Sequence, residues 1–531
     1  MSCSTWSATR GWIRGPAEER GARLGVAHTV ALHGVRAHPV RVEANIGPGL
    51  PGMRVVGLGD ASVRESRERI RTAVTNSGLG WPRTKIVVSL SPACLPKSGG
   101  HFDLAITAAI LGAAWEGDRA RQARTALGST LLLGEVALDG SLRPVRGVLP
   151  ALLCARRRGM TRAVVPPGNA REAALASRLT VLIAPTLRDA ARWLAGEAAL
   201  RGPEPDDPGG EEPAPGDFAD IAGQRRAVRA AQVAAAGGHH LVLLGPPGSG
   251  KSMIAARMPT ILPPLTREQT MEATAVHSVA ADSFRGPVRR APFVAPHHSV
   301  TGAGLLGGGS GIPRPGAVSL AHHGLLFLDE ASEIPASVLD GLRTPLDEGR
   351  VRLVRSHRSY VFPARFQLVL AANPCRCAAS EPSLCRCGAR ERVPYLSNIS
   401  GPLRDRIDIV ARTHAAGARL RSGFAPASAE LAEAVAQARD RARYRWHKEG
   451  LAPPRNADIP GPLLRKEFPA SDEAMALIEA HLARGEVSQR GADRLLRIAW
   501  TLADLEGRKR PGMGEIAEAL ELGATGWGSH E

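Results

Sequence analysis

Gly245-Pro246-Pro247-Gly248-Ser249-Gly250-Lys251-Ser252 fits the phosphate-cradling pattern G-x-x-x-x-G-K-[ST] at every fixed position. The apolar run Leu241-Val242-Leu243-Leu244 before it predicts a buried strand, and Met253-Ile254-Ala255-Ala256 after it predicts the opening of a helix. The chemistry requires that context. Glycines let backbone N–H groups turn toward a polyphosphate, and a helix N-terminus adds favourable partial charge. In such a loop Lys251 reaches the terminal phosphates of ATP and Ser252 ligates Mg2+. The stretch predicts a nucleoside-triphosphate site on an α/β sheet.

Two further runs answer to it. Gly324-Leu325-Leu326-Phe327-Leu328 is continuously apolar and ends in Asp329 and Glu330. Continuous burial suits a central parallel strand, and acids at its carboxyl end fall where α/β sheets hold ligands. Asp329 is expected with Ser252 in the Mg2+ shell, and Glu330 is expected to polarise the attacking water. Leu368-Val369-Leu370-Ala371-Ala372 is the next buried run, and Asn373 at its end is placed to bond the γ-phosphate or that water. Ser400-Gly401-Pro402-Leu403-Arg404-Asp405-Arg406 sets arginines outside the nucleotide's own half of the site. An arginine finger acts on a neighbour's γ-phosphate, so this segment predicts a ring.

A chain of 531 residues is too long for one core. Residues 197–216, rich in Pro, Gly and acids, predict a linker between a domain at 27–196 and an ATPase domain at 217–424. The first domain alternates strand and helix patterns, as in Val40–Ala44, Ala61–Ser77 and Lys85–Leu90, which predicts an α+β fold. From 425 to 524 apolar residues recur at three-to-four spacing, predicting an α-helical lid, with 525–531 as a tail. Residues 1–26 carry no apolar core of a secretory signal and predict a disordered lead-in. No apolar run approaches the ~20 residues that span a bilayer, so no membrane partner is expected.

A formal charge of +17 invites a polyanion. A chain rich in Arg, Ala, Gly and Pro throughout, as a GC-rich genome encodes, is the other source of that excess. Cys375, Cys377, Cys385 and Cys387 supply four thiolates, enough for a tetrahedral Zn2+ site. Four reduced loop thiols are the alternative. Val351–Val354 and Tyr360–Phe362 flank Arg355-Ser356-His357-Arg358-Ser359, which predicts a hairpin with a basic tip. Arg355, His357 and Arg358 suit phosphate contacts; a solvated turn is the other reading. His297 and His298 lead into a Gly-rich stretch expected to form a pore or substrate-contact loop, with a structural Gly-rich turn as the alternative. Adjacent histidines point apart on a regular backbone, which argues against chelation by that pair.

With Ala295-Pro296-His297-His298-Ser299, Leu305–Gly309, Pro313–Gly316, Leu320–Gly324, Leu328-Asp329-Glu330 and Asn373-Pro374-Cys375, the chain resembles the ComM/YifB family of magnesium-chelatase-like AAA+ ATPases. The likeness runs from about residue 27 to 524. It implies that Arg406 is the finger and Arg490 the second sensor, with Arg494 and Arg497 on nearby faces. Arg404 departs from the family, which usually has an apolar residue there, so either Arg404 or Arg406 could reach the neighbouring site; Arg406, directly before Ile407-Asp408, is preferred. The likeness also implies a cytoplasmic homo-oligomeric ring, a hexamer, using ATP and Mg2+ on branched or single-stranded DNA. Branch migration in natural transformation is the implied activity. A magnesium-chelatase motor subunit, and a nucleotide-dependent regulator without motor activity, are the rivals. Residues 27–196 resemble a Lon-protease domain, but His101 stands where the nucleophile would fall and the base's helix (Gly147–Ala151) has no lysine. Proteolysis is not expected.

Overall fold

The computed structural model describes residues 23–57, 61–204, 216–280, 284, 286–309, 312–355, 358–375, 377, 379, 387, 398–414, 426–451 and 455–523. The P-loop strand Leu241–Leu244 lies inside a five-stranded parallel sheet. Across that sheet the strands run Phe293–Val294, Leu325–Leu328, Gln367–Ala372, Leu241–Leu244 and Ile409–Arg412. Leu244 stands opposite Ala372 on one side and Arg412 on the other, while Leu328 stands opposite Leu370.

These strands read as unbroken apolar runs because both faces are covered. Leu241, Leu243, Leu325, Phe327, Val369 and Ala371 join one core with helices Arg225–Gly237 and Lys251–Ile261. Val242, Leu244, Leu326, Leu328, Leu368 and Leu370 point the other way, against Ile334, Leu339 and Leu403. Each such side chain contributes about 1.5–3 kcal/mol by leaving water. Strand order and register thereby fix one edge, at which the P-loop, Asp329, Asn373 and Thr413 emerge together.

The C-terminal segment is helical over Ser428–Lys448, Gly461–Lys466, Asp472–Ala483, Gln489–Leu505 and Met513–Leu522, close to the expected pattern. Its apolar faces share a core with helix Arg225–Gly237. Among the described residues no helix is long and apolar enough to cross a membrane.

The N-terminal part forms a seven-stranded mixed sheet. The long strands Arg23–His33 and Arg36–Gly47 pair antiparallel at its centre. Three parallel strands, Thr130–Leu132, Arg162–Val165 and Thr180–Ile183, extend one edge. Helices Asp103–Ala114 and Val148–Arg157 cover it.

Two expectations are corrected. Residues 23–26 are strand rather than lead-in, since Arg23 to Val26 pair with Ile46 to Glu43; residues 1–22 lie outside the described set. The expected linker is partly built into the N-terminal sheet, where Ile183 N–H donates to the Arg201 carbonyl at 2.8 Å. Between the acid strand and the hairpin lie two short helices, Ala336–Asp340 and Arg343–Glu348, divided at Gly341-Leu342.

Candidate functional site

Gly250 takes φ 85 and Gly248 φ 71, left-handed values that side chains disfavour. A Cβ at either would meet nothing within 4 Å, so the loop presents bare backbone to open space. Gly245 is constrained for the opposite reason: a Cβ there would crowd the Thr413 carbonyl at 2.5 Å. Thr413 itself donates its N–H to the Leu244 carbonyl at 2.7 Å, and its hydroxyl meets Ser249 Oγ at 2.7 Å. The loop is braced from behind by the neighbouring strand's end.

Lys251 opens helix Lys251–Ile261, and its ammonium donates to the Gly245 carbonyl (2.7 Å), the Pro246 carbonyl (2.8 Å) and Asn373 Oδ1 (3.0 Å). Burial lowers its pKa, while the nearby carboxylates of Asp329 and Glu330 work to restore it. Ser252 Oγ donates to Asp329 Oδ2 at 2.6 Å. The hydroxyl and carboxylate expected to share a magnesium shell are thus already adjacent. These residues fit Mg-ATP: bare loop amides and a lysine for the phosphates, and a hydroxyl with a carboxylate for the metal.

Glu330 adopts φ 48, a left-handed value for a residue with a side chain, and its N–H donates to Asp329 Oδ1 at 2.9 Å. Its Oε2 lies 2.8 Å from His298 Nδ1. Here the sequence expectation needs correcting. The rings of His297 and His298 do not diverge; their centroids are 4.0 Å apart, because the loop is irregular backbone. His297 Nδ1 meets Ser299 Oγ at 2.8 Å, and His298 reaches back to the acid strand.

Arg406 is not brought to its own P-loop. It bonds both oxygens of Asp347 (2.8 and 2.5 Å) and the Pro402 carbonyl (2.7 Å). The Asp347 hydrogen bonds raise its pKa above the ordinary arginine value. Arg404 donates to the Ile399 carbonyl at 2.7 Å. Arg490 is exposed in the first turn of helix Gln489–Leu505, whereas Arg494 on the same helix is buried and donates to the Ile407 carbonyl at 2.9 Å.

The hairpin is present as strands Arg350–Arg355 and Arg358–Pro363, longer than expected, so Arg355 and Arg358 face each other in the ladder. His357 lies outside the described residues, as does Cys385. Cys375, Cys377 and Cys387 have thiols within 4.8 Å of one another, and the first two are 3.2 Å apart.

Sequence reasoning passed over two clusters. His239 Nδ1 meets Asp408 Oδ2 at 3.1 Å and its Nε2 meets Thr501 Oγ1 at 2.8 Å. Asn456 continues the chain to Thr501, Asp504 and Trp446 Nε1, joining the C-terminal helices to the strand beside the P-loop. Burial pushes the Asp408 carboxyl up, but the His239 bond and the surrounding cations outweigh it and hold it below its usual value. The second cluster is Glu272 with His322 and His323, at 3.4 and 2.7 Å. It resembles a metal site, yet His322 Nδ1 accepts the Arg365 N–H, so its neutral ring carries the proton on Nε2 and offers Glu272 no lone pair to share with a metal. Glu272 is held through its hydrogen bond to His323, while His322 Nε2 makes no hydrogen bond among the described residues.

A P-loop, an acid pair and a polar strand end on a five-stranded parallel sheet, followed by helices, define an AAA+ ATPase of the magnesium-chelatase type. Models described as magnesium chelatase subunit ChlI match residues 217–419 and 42–169, and one described as the ChlI C-terminal region matches 425–522. An uncharacterized protein of Mycobacterium tuberculosis is 48% identical over 510 residues, 95% of this chain and 99% of that one. YifB of Escherichia coli is 37% identical (91% and 94% covered), and competence protein ComM of Haemophilus influenzae 35% (94% and 97%). The chain belongs to the ComM/YifB family of magnesium-chelatase-like AAA+ proteins. A local likeness to Lon protease of Mycolicibacterium smegmatis, 30% over 157 residues, covers 28% of this chain and 19% of that protein.

Proposed function

We propose that this chain is the subunit of a ring-forming motor that couples ATP hydrolysis to movement of DNA and that, by its kinship with a competence protein, acts at the branch points of recombining strands. One observation carries the reading. Lys251, Ser252, Asp329, Glu330 and Asn373 converge at one sheet edge, whereas Arg406, the residue suited to complete the site, is held outward by Asp347. A site lacking its own finger is one that a neighbour completes. In this reading Mg-ATP supplies the phosphoryl group and the charge that polarises it. Lys251 and the loop amides bind the phosphates, Ser252 and Asp329 hold the metal, and Glu330 takes the proton of the attacking water. Asn373 orients that water, and Arg490 senses nucleotide from the helical lid.

The N-terminal domain acts here as scaffold and not as protease. Lys97 is fully buried and burial lowers its pKa to about 8, the range of a catalytic base. Its ammonium, however, donates to the Pro92 carbonyl, and His101 Nε2 bonds the Val30 carbonyl at 2.9 Å. No serine hydroxyl bonds the Lys97 ammonium among the described residues. The clustered thiols of Cys375, Cys377 and Cys387, with Cys385, suit a structural zinc, which metal analysis of the purified protein would detect at one per chain.

The test is ATP turnover by the intact protein with and without a synthetic four-way DNA junction, together with strand movement in that junction. Stimulated turnover with movement supports the motor. Turnover indifferent to DNA, with the junction intact, removes it and leaves a chelatase-type motor subunit as the better reading.

A further inference from the structure

The N-terminal sheet meets the basic hairpin directly. The turn between strands Arg23–His33 and Arg36–Gly47 sits against strand Arg358–Pro363, where the His33 ring meets Tyr360 edge-on at 4.2 Å. Gly34, at φ 64, approaches so closely that a Cβ would lie 2.6 Å from the Val361 carbonyl oxygen. His38 stands 5.9 Å from His33. Around these rings the charge is all of one sign. Burial, then Arg36 and Arg158, lowers the pKa of His38; burial, then His38 and Arg358, lowers that of His33.

The band of cations continues onto the ATPase sheet's insertions. Arg355 faces Arg358 in the ladder, and its guanidinium is 3.8 Å from where Gly308 would carry a Cβ. Gly308 pairs with Arg314. Arg36, Arg158, Arg314, Arg355 and Arg358 form no ion pair with a carboxylate among the described residues. Several arginines elsewhere on the surface have one, among them Arg23 with Glu116, Arg41 with Glu43, Arg119 with Glu197, Arg121 with Asp118 and Arg350 with Glu348. Like charges repel by about 1 kcal/mol per pair at 4 Å even in water. A band of unpaired guanidinium groups therefore has a standing gain to make from a polyanion.

We propose that the N-terminal sheet and the hairpin form one continuous phosphate track for a DNA strand, with Arg36 and Arg158 supplying contacts from the N-terminal side. This rests on the DNA-motor reading and gives the otherwise idle N-terminal domain a task in it. The track is built of two domains. The strand is gripped by charge and without base readout, so affinity falls steeply with salt.

The test uses the full chain and a labelled oligothymidylate, titrated across a range of salt. Arg36→Ser with Arg158→Ser should weaken binding about tenfold at low salt. It should also flatten the log–log salt slope by about 1.4, at roughly 0.7 per phosphate contact on a single strand. DNA-free ATP turnover should stay as in the wild type. Arg36→Lys with Arg158→Lys keeps the charges and should restore the slope, which separates lost contacts from misfolding. A wild type that binds while the serine variant matches it in affinity and slope overturns the two-domain track alone. A wild type that binds no oligonucleotide overturns the track and the motor reading together.

Discussion

Lys251 directs its ammonium at three oxygens at once, two from its own loop and one from Asn373. A bound polyphosphate competes with all three, so Asn373 registers at the next strand whatever Lys251 does. Glu330 has a comparable restraint in His298, 2.8 Å away in the loop that leads to the Gly-rich stretch. One hydrogen bond of this kind is worth about 0.5–1.5 kcal/mol, or roughly a two- to tenfold change in rate. His298→Ala is therefore expected to raise DNA-free ATP turnover by about that factor and to shrink any stimulation by DNA. Unchanged basal turnover in a steady-state assay would show that the contact restrains nothing. His240 offers a test by pH. Its Nδ1 accepts the Leu368 N–H at 3.0 Å, and burial lowers its pKa to about 4. An unfolded chain takes up that proton near pH 6.5 and the folded one does not. The stability His240 contributes is thus full above 6.5 and is lost as pH falls toward 4. His240→Asn, whose amide oxygen can take the same bond, should flatten the acid side of a Tm-against-pH curve, and an identical curve would refute this.

At the scale of elements, local pattern and long-range contact part company. The P-loop, the acid strand, the hairpin and the C-terminal helices were legible because each is a run of consecutive residues with one period and recognisable ends. The bracing of Gly245 by Thr413 was not, nor was the chain from His239 through Thr501 to Asn456. Their partners are far apart in sequence, and only the sheet order brings them together. The divergence expected of the His297 and His298 rings fails because alternation applies to regular backbone and this loop is irregular. The N-terminal strand start at Arg23 was missed for a related reason: its pairing to Ile46 fixes it, not its composition. Asn456 carries the helical side of the buried network, bonding Trp446 at 2.7 Å and Asp504 at 2.9 Å. Asn456→Ala leaves those groups unsatisfied and should cost about 2–4 kcal/mol in a chemical denaturation experiment. A loss below about 0.5 kcal/mol would mean that the network relaxes without it.

Across the whole molecule, the groups proposed to hold Mg-ATP, Lys251, Ser252, Asp329, Glu330 and Asn373, meet at one sheet edge, whereas Arg490 stands on a C-terminal helix and Arg406 is bonded to Asp347. Arg406 is held by Asp347 from helix Arg343–Glu348, one residue before the Ile407 carbonyl that Arg494 bonds from helix Gln489–Leu505. In the proposed ring, movement of those helices would be felt beside Arg406, and through it at the neighbouring subunit's site. The central claim is that hydrolysis takes place between subunits. It is tested by mixing two inactive proteins, Lys251→Ala and Arg406→Ala, in equal amounts and measuring ATP turnover. Mixed rings contain interfaces that join an intact Lys251 site to an intact Arg406, so the account predicts turnover well above either protein alone. Full activity of Arg406→Ala by itself, or a mixture no more active than its parts, would contradict it.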